Sequence, residues 1–204
     1  LVASNAANPN KTVVNIASPS ASGYIAKWNS MQDAEFLSAL LQNDIKVRFS
    51  ENELGFGGKS FGRGSLIITR SDNKSKADFD TTLIEIANEM GRQLYASPTS
   101  FADNLTDFGS QYVHLIKNKK IAVLQGEGTS SLSYGALWHF FETQLKYPIT
   151  SINTDDIGSI EWSDYDVLVL PDGNYKSILK DDIFENLETW IGKGGRIVAI
   201  GNAV

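Results

Sequence analysis

The residues best suited to chemistry in this sequence form a small, polar run between an apolar segment and an amphipathic one, Gly126-Glu127-Gly128-Thr129-Ser130-Ser131. Glycines in such a turn let a pyrophosphate approach the first amides of the following helix. Serine stands where the third glycine of that pattern would be, and no acid follows at the required distance. We therefore expect a tight strand-to-helix turn without a ligand. If an anion binds, residues 126–130 and the later pair Asp172-Gly173 would hold it.

Two other patterns suggest chemistry that their surroundings do not support. His139 and Glu142 have the H-x-x-E spacing that places two zinc ligands in peptidases, but a catalytic zinc needs a third protein ligand. The only other histidine is His114, which lies upstream. The Gly-rich stretch at 55–60 lacks the first glycine of a phosphate-binding loop and precedes a strand instead of a helix. We expect no metal site and no phosphate loop.

Composition excludes several classes of function. The chain has 204 residues, no cysteine and a formal net charge of −6. The lack of cysteine excludes disulfides, thiol catalysis and thiolate metal sites. The negative charge argues against nucleic acid as a partner, because phosphates need clustered Lys and Arg. No run of about 18 apolar residues occurs, so we expect no membrane span.

Two stretches of the chain share the order β-α-β-β-α. Strands are expected at 24–28, 45–49, 65–69, 111–116, 120–125, 149–153, 165–170 and 196–200. Helices are expected from Ser30, from Asp78 or Asp80, over 132–146 and from about Asp181. This alternation predicts an α/β fold with a doubly wound, mostly parallel sheet of flavodoxin-like type. We expect a linker over 1–22, an N-terminal α/β unit over 23–118, and a second α/β unit over 119–204 that is truncated at its C-terminus.

The order of four motifs carries a resemblance to a known family. These motifs are KIAVLQGEG (120–128), YGALWHFFE (134–142), DYDVLVLPDG (164–173) and WIGKGGRIVAIGNAV (190–204). Together they resemble the class I glutamine amidotransferase-like, non-catalytic region that follows the catalytic domain in some bacterial zinc carboxypeptidases of the carboxypeptidase A-like metallopeptidase family. The earlier motifs AKWNS (26–30) and IKVRF (45–49) resemble the segment that precedes that region, so the resemblance covers roughly residues 22–204.

The resemblance implies a site that lacks its reactive group. An active amidotransferase carries a cysteine nucleophile on the turn after a strand, and the aligned turn here reads Gly201-Asn202. The turn that helps form the oxyanion hole reads Pro171-Asp172-Gly173. Because an acyl intermediate needs a hydroxyl or thiol, we expect no catalytic residue in this chain.

The resemblance also implies a parent protein, a cellular location and a partner domain. The parent protein would be a periplasmic or secreted bacterial metallopeptidase whose zinc ligands and catalytic glutamate lie upstream, so no cofactor is expected in this chain. Its partner would be the catalytic peptidase domain of the same polypeptide, and a homo-oligomer is left open. The leading hypothesis is a non-catalytic accessory domain with a structural or substrate-presenting role. The alternatives are an anion- or nucleotide-binding α/β module, and an amidotransferase-like interaction domain of a transport or gliding-motility accessory protein.

Overall fold

The computed structural model describes residues 13–203, except for the side chains of residues 104, 105 and 181. Residues 1–12 of the expected linker, and residue 204, lie outside the described part of the chain. The chain divides into one compact unit that ends at Ile116 and a second that begins at Lys117. Each unit has its own hydrophobic core.

The first unit combines a five-stranded sheet with two helices and a hairpin. Its elements are β1 (Gly23–Ala26), α1 (Met31–Gln42), β2 (Arg48–Ser50), β3 (Leu54–Phe56), β4 (Lys59–Phe61), β5 (Leu66–Thr69), α2 (Phe79–Glu89), β6 (Tyr95–Ser97), β7 (Asn104–Leu105) and β8 (Val113–Leu115). The main sheet has the order β6-β1-β5-β2-β8, and every neighbouring pair is antiparallel.

The connections of this sheet differ from those of a doubly wound fold. Helix α1 connects β1 to β2, and β5 lies between them; helix α2 connects β5 to β6, and β1 lies between them. Each helix thus joins two strands of the same direction that are separated by an antiparallel third, which is the split β-α-β arrangement of ferredoxin-like folds. The predicted doubly wound, mostly parallel sheet, of flavodoxin-like or class I glutamine amidotransferase-like type with two β-α-β-β-α units, is therefore wrong.

The prediction failed because both faces of the antiparallel sheet are covered. Strands β3 and β4 form a hairpin with β7 as a third strand, and Phe56 and Phe61 of this hairpin pack against Ile25 of β1. The neighbouring residues Tyr24 and Ala26 belong to the core formed with the two helices. Uninterrupted apolar runs are typical of parallel strands buried on both faces. Here the helices cover one face of the antiparallel sheet and the hairpin covers the other, so its strands also have uninterrupted apolar runs.

Helix α1 begins where the sequence predicts. Ser30 is its N-cap, and Asp33 Oδ2 accepts the backbone N–H of Ser30 at 2.8 Å. Arg92, from the segment before β6, donates Nη1 to Asp33 Oδ1 at 3.0 Å. Burial alone would raise the pKa of Asp33, but the N–H of Asn29 and the Arg92 guanidinium together lower that pKa below its ordinary value. The ionised carboxylate therefore ties the start of α1 to the loop that precedes β6.

The second unit is a four-stranded parallel sheet. Its elements are β9 (Ile121–Gln125), α3 (Ser131–His139), β10 (Ile149–Asn153), β11 (Val167–Leu170), α4 (Asp181–Gly192) and β12 (Arg196–Ala199). A π-helical turn over Phe140–Leu145 extends α3, and the 3-10 turns Thr154–Ser159 and Trp162–Asp164 connect β10 to β11. The strand order is β10-β9-β11-β12 with every pair parallel. The parallel direction predicted for these strands is correct within this unit alone.

The two helices of the second unit are buried to different degrees. Leu187 and Trp190 of α4 are buried in the core with Trp162 and strand residues of β9 and β11. Helix α3 buries none of its residues fully, and Leu132, which the sequence places on its apolar face, is 86% exposed. Among residues 13–203, no helix is long and apolar enough to cross a membrane.

Candidate functional site at the carboxyl edge of the parallel sheet

The candidate site lies where the chain leaves β9 and β11. These two strands are the central pair of the parallel sheet, and their following connections lead to opposite edge strands, β10 and β12. In an open α/β sheet, ligands bind in the crevice outside the carboxyl ends of such a strand pair. The turn at 126–130 follows β9, and Asp172 and Gly173 follow β11. The predicted site residues are therefore brought to one edge of the sheet.

Backbone hydrogen bonds join the two turns directly. Thr129 and Gly173 form an isolated antiparallel bridge. Ser130 donates its N–H to the carbonyl of Asp172 at 2.8 Å, and Asn174 donates its N–H to the carbonyl of Gly128 at 2.8 Å. These amides are paired within the protein, so they are not available to a phosphate in this arrangement.

The close approach of the turns explains the glycine at 173. A Cβ atom added to Gly173 would lie 2.3 Å from the carbonyl oxygen of Gly128, well inside van der Waals contact. Any side chain at this position would separate the two turns and break the bridge. Gly173 is therefore required by packing, independently of any ligand.

The start of α3 is capped by its own side chains. Ser130 is the N-cap, and its Oγ accepts the N–H of Ser133 at 3.3 Å. The Ser133 hydroxyl oxygen in turn accepts the N–H of Asp172 at 3.0 Å. Ser130 and Ser133 thus both cap the helix and hold the β11 turn against it.

The turn after β12 faces a carboxylate. Gly201 has φ +63°, a left-handed conformation that favours glycine. A Cβ atom at Gly201 would lie 2.6 Å from Asp172 Oδ1, the same oxygen that accepts the N–H of Asn202 at 2.8 Å. The position that the family resemblance aligns with a nucleophile is therefore filled by the side chain of Asp172. A side chain at position 201 would have to displace the Asp172 carboxylate.

Tyr175 supports this corner, and the sequence analysis did not identify it. Its hydroxyl donates to the carbonyl of Pro171 at 2.9 Å and lies 3.3 Å from Thr129 Oγ1. Burial raises the pKa of the Tyr175 phenol, although the hydrogen bond with Thr129 opposes that rise. The phenol thus stays protonated and bridges both turns. Its sequence position, directly after Asp-Gly-Asn, indicates only a loop.

The site carries negative charge and no assembled metal ligands. Glu127 and Asp172 lie on the joined turns, and Asp155 and Asp156 follow β10 at the same edge. Over residues 13–203, no group of three or more His, Cys, Asp and Glu side chains is arranged to hold a metal ion. The concentration of carboxylates opposes binding of a phosphate, because like charges repel.

The H-x-x-E residues remain apart from this site. Thr143 donates its hydroxyl to the carbonyl of His139 at 2.6 Å, which places the histidine in local helix contacts. His114 belongs to the first unit, where its Nε2 lies 3.3 Å from a carboxylate oxygen of Glu51. The two histidines thus have separate local environments and different chain units.

No protein-family model, no curated protein and no solved structure matches this chain.

Proposed function

We propose that this chain is a non-catalytic accessory region of a periplasmic or secreted bacterial zinc metallocarboxypeptidase, with a structural or substrate-presenting role. The proposed family rests on the order of the sequence motifs described above, which cover roughly residues 22–204. Its partner would be the catalytic peptidase domain of the same polypeptide. On the family resemblance, that domain would hold the zinc.

The observation that carries an accessory role is the pair of exposed apolar side chains on helix α4 of the second unit, Phe184 and Ile191. Large apolar side chains that are more than a third exposed include Leu132, Trp138, Phe184, Ile191, Ile197 and Val198. Contiguous exposed apolar area marks interaction surfaces, so the residues that count are those that share one helix face. On α4, Phe184 and Ile191 are seven positions apart and share one face of the helix. Their burial against another domain would remove apolar area from water.

The geometry at Gly201 supports the absence of amidase chemistry. An acyl-enzyme needs a nucleophile next to a base, and Asp172 takes the space that a side chain at 201 would need. Purified protein should therefore hydrolyse neither glutamine nor simple esters, and the Gly201→Cys variant should be equally inactive. Turnover by the natural protein that Asp172→Ala abolishes would contradict this part of the proposal.

The accessory role is tested in the full polypeptide that contains this chain. Phe184→Ser combined with Ile191→Ser removes the apolar stripe of α4 without touching the buried face. A structural role predicts a lower Tm of the peptidase domain, and a presenting role predicts a higher KM for peptide substrates with kcat unchanged. Glu185→Gln, an exposed change on the same helix, serves as the matched control. Unchanged Tm and unchanged KM in the double variant would contradict the proposal.

The open reading frame offers a separate check on the family. A zinc carboxypeptidase would carry an H-x-x-E motif and a distant histidine upstream of residue 1. A transmembrane helix downstream of residue 204, without that peptidase motif, would instead favour the interaction domain of a transport or gliding-motility protein. Exposed apolar residues could contact a peptidase domain or a transport protein equally well. The reading frame is therefore the observation that distinguishes these two proposals.

A further inference from the structure

The second unit contains a recess at the amino-terminal edge of its parallel sheet. The recess has a volume of about 550 Å³, within the range of ligand pockets, about 300–1,000 Å³. One wall is the segment that precedes β11, and the other is the second half of α4 with the connection to β12. The candidate site described above lies at the carboxyl edge of the same sheet, so the recess is separate from it. The lining includes Glu161, Trp162, Tyr165, Asn186, Thr189 and Lys193.

Three aromatic rings give the recess a fixed wall. The rings of Trp162 and Trp190 have centroids 5.8 Å apart, and those of Trp162 and Tyr165 have centroids 6.5 Å apart. Trp190 donates Nε1 to the carbonyl of Tyr165 at 3.0 Å. Both tryptophans are almost completely buried in the core of this unit. Since these contacts hold the rings in place, the wall is preformed.

The indole N–H of Trp162 is a donor that the protein leaves open. Only 6% of the Trp162 surface is exposed, and its Nε1 has no hydrogen-bond partner among the described residues. Over the same residues, no enclosed polar side-chain atom lacks a partner. The small exposed part of Trp162 therefore includes Nε1. Because Trp162 lines the recess, its N–H is available to an acceptor oxygen of a ligand there.

Helix α4 adds polar groups to the opposite wall. Asn186, Thr189 and Lys193 are exposed, line the recess and share one side of the helix. The side chains of Asn186 and Thr189 form no hydrogen bond within the described part of the chain, and an amide or a hydroxyl can both donate and accept. Phe184 and Ile191 lie on the other side of the helix. The recess and the apolar stripe of α4 are therefore different surfaces.

The charges around the recess cancel. Asp166, which lines it, accepts Nζ of Lys119 at 2.7 Å. Glu161 and Lys193 are exposed, and among the described residues neither forms an ion pair. Two carboxylates thus stand against two ammonium groups. An anion would meet Glu161 and a cation would meet Lys193, so the recess suits a neutral polar ligand.

We propose that this recess binds a neutral saccharide. A sugar ring has hydroxyls that donate and accept hydrogen bonds, together with a face of C–H groups that packs on aromatic rings. One hydroxyl oxygen accepts the Trp162 N–H, other hydroxyls pair with Asn186 and Thr189, and the C–H face lies on Tyr165. The fixed aromatic wall, the open donor, the unpaired amide and hydroxyl, and the balanced charge each match one part of this ligand. The site does not depend on the accessory role proposed for the whole chain.

Titration of the full chain, labelled with nitrogen-15, tests the proposal by NMR. The probes are the methyl glycosides of glucose, galactose, mannose and N-acetylglucosamine, and Trp162→Phe identifies the indole signal of Trp162. We expect at least one glycoside to shift this signal saturably, because its N–H gains an acceptor. The indole signal of Trp28, in the first unit, should stay in place. No saturable shift with any probe up to about 50 mM, or an equal shift of Trp28, overturns the proposal.

Two further comparisons test the polar contacts and the charge of the ligand. The double variant Asn186→Ala and Thr189→Ala should bind the active glycoside at least about tenfold more weakly, and alanine preserves the helix. Glu188→Gln, an exposed change on α4 outside the recess, should leave binding unchanged. Circular dichroism of each variant checks that it is folded. An unaffected double variant, or tighter binding of glucuronate or glucosamine than of every neutral glycoside, overturns the proposal.

Discussion

Arg48 and Asp72 form a bidentate ion pair in the first unit. Arg48 Nε donates to Asp72 Oδ2 at 2.6 Å, and its Nη2 donates to Oδ1 at 2.8 Å. Thr69 donates its hydroxyl to the same carboxylate at 2.7 Å. The hydrogen bond from Arg48 lowers the pKa of Asp72 against the opposing effect of burial. The bidentate geometry and partial burial distinguish this pair from an ordinary surface pair, which contributes little.

This pair should make the stability of the first unit depend on pH. A carboxyl whose pKa is lowered by folding stabilises the folded state above its ordinary pKa, and that contribution is lost as pH falls through the lowered value. Asp72→Asn should reduce the free energy of unfolding by about 1–3 kcal/mol at neutral pH. The difference from the natural protein should shrink at about pH 3 or below, as measured by urea denaturation.

Asp44→Asn provides the control for Asp72→Asn, because Asp44 is exposed and has no side-chain hydrogen bond among the described residues. It should change stability little at either pH. A loss for Asp72→Asn that is the same at neutral and acid pH would show that the ionised pair is not the cause.

Gly201 provides a second residue-scale prediction. Its φ of +63° and the 2.6 Å separation between an added Cβ and Asp172 Oδ1 both oppose a side chain. Gly201→Ala should therefore destabilise the second unit by about 1–3 kcal/mol. Gly135→Ala is the matched control, because Gly135 lies inside α3 with nothing within 4 Å of its added Cβ. That change should stabilise by about 1 kcal/mol, measured by thermal denaturation. Equal effects at both glycines would contradict the assignment.

At the scale of elements, the end of α4 is locked by an indole ring. Trp190 donates Nε1 to the carbonyl of Tyr165 at 3.0 Å and packs on Trp162 with ring centroids 5.8 Å apart. Gly195, which leads into β12, lies under that ring, and its added Cβ would meet ring carbons of Trp190 at 2.2 Å. The glycine lets the chain pass close beneath the tryptophan, so the α4–β12 connection and the ring fix each other.

Gly195→Ala should displace this ring. The expected cost is about 1–3 kcal/mol of unfolding free energy, as for other overpacked sites, together with a red shift of tryptophan fluorescence as the indole becomes more exposed. Gly192→Ala, three residues earlier with nothing within 4 Å of its added Cβ, should show neither change. An unshifted spectrum with unchanged stability in Gly195→Ala would refute the contact.

At the scale of the whole molecule, the cores follow the division of the chain. Two buried apolar clusters consist entirely of residues before Lys117, and the third consists entirely of residues after it. Each unit therefore has the means to unfold on its own, because its apolar burial does not depend on side chains of the other unit's clusters. Two cooperative transitions are expected for the full chain.

Leu54→Ala tests this independence. Leu54, in strand β3 of the hairpin, is completely buried, so the change should destabilise the first unit by about 2–5 kcal/mol. Differential scanning calorimetry should show one transition at lower temperature and the other unchanged. Gly195→Ala should shift the other transition, which makes the two variants controls for each other. A joint shift of both transitions in either variant would contradict independent units.

Several features could be predicted from the sequence because their causes are local. The capping role of Ser30, the start of α4 at Asp181 and the turn after β9 follow from residues close together in the chain. The sequence also indicates residues 126–130 together with Asp172 and Gly173, and the structure joins these two turns through the Thr129–Gly173 bridge. By contrast, the apolar run at 65–69 predicts a buried strand but does not specify its neighbours.

The sequence by itself determined the four main helices, the strands of the parallel sheet and the absence of a thiol for chemistry, but it did not predict strands β3, β4, β6 and β7. Only the tertiary structure decided that β5 inserts between β1 and β2, that the hairpin covers the second face of that sheet, and that Asp172 occupies the space beside Gly201. The physical reason is the range of the interactions. Periodicity and capping act over a few residues, whereas strand order and the filling of a site depend on which distant side chains pack together.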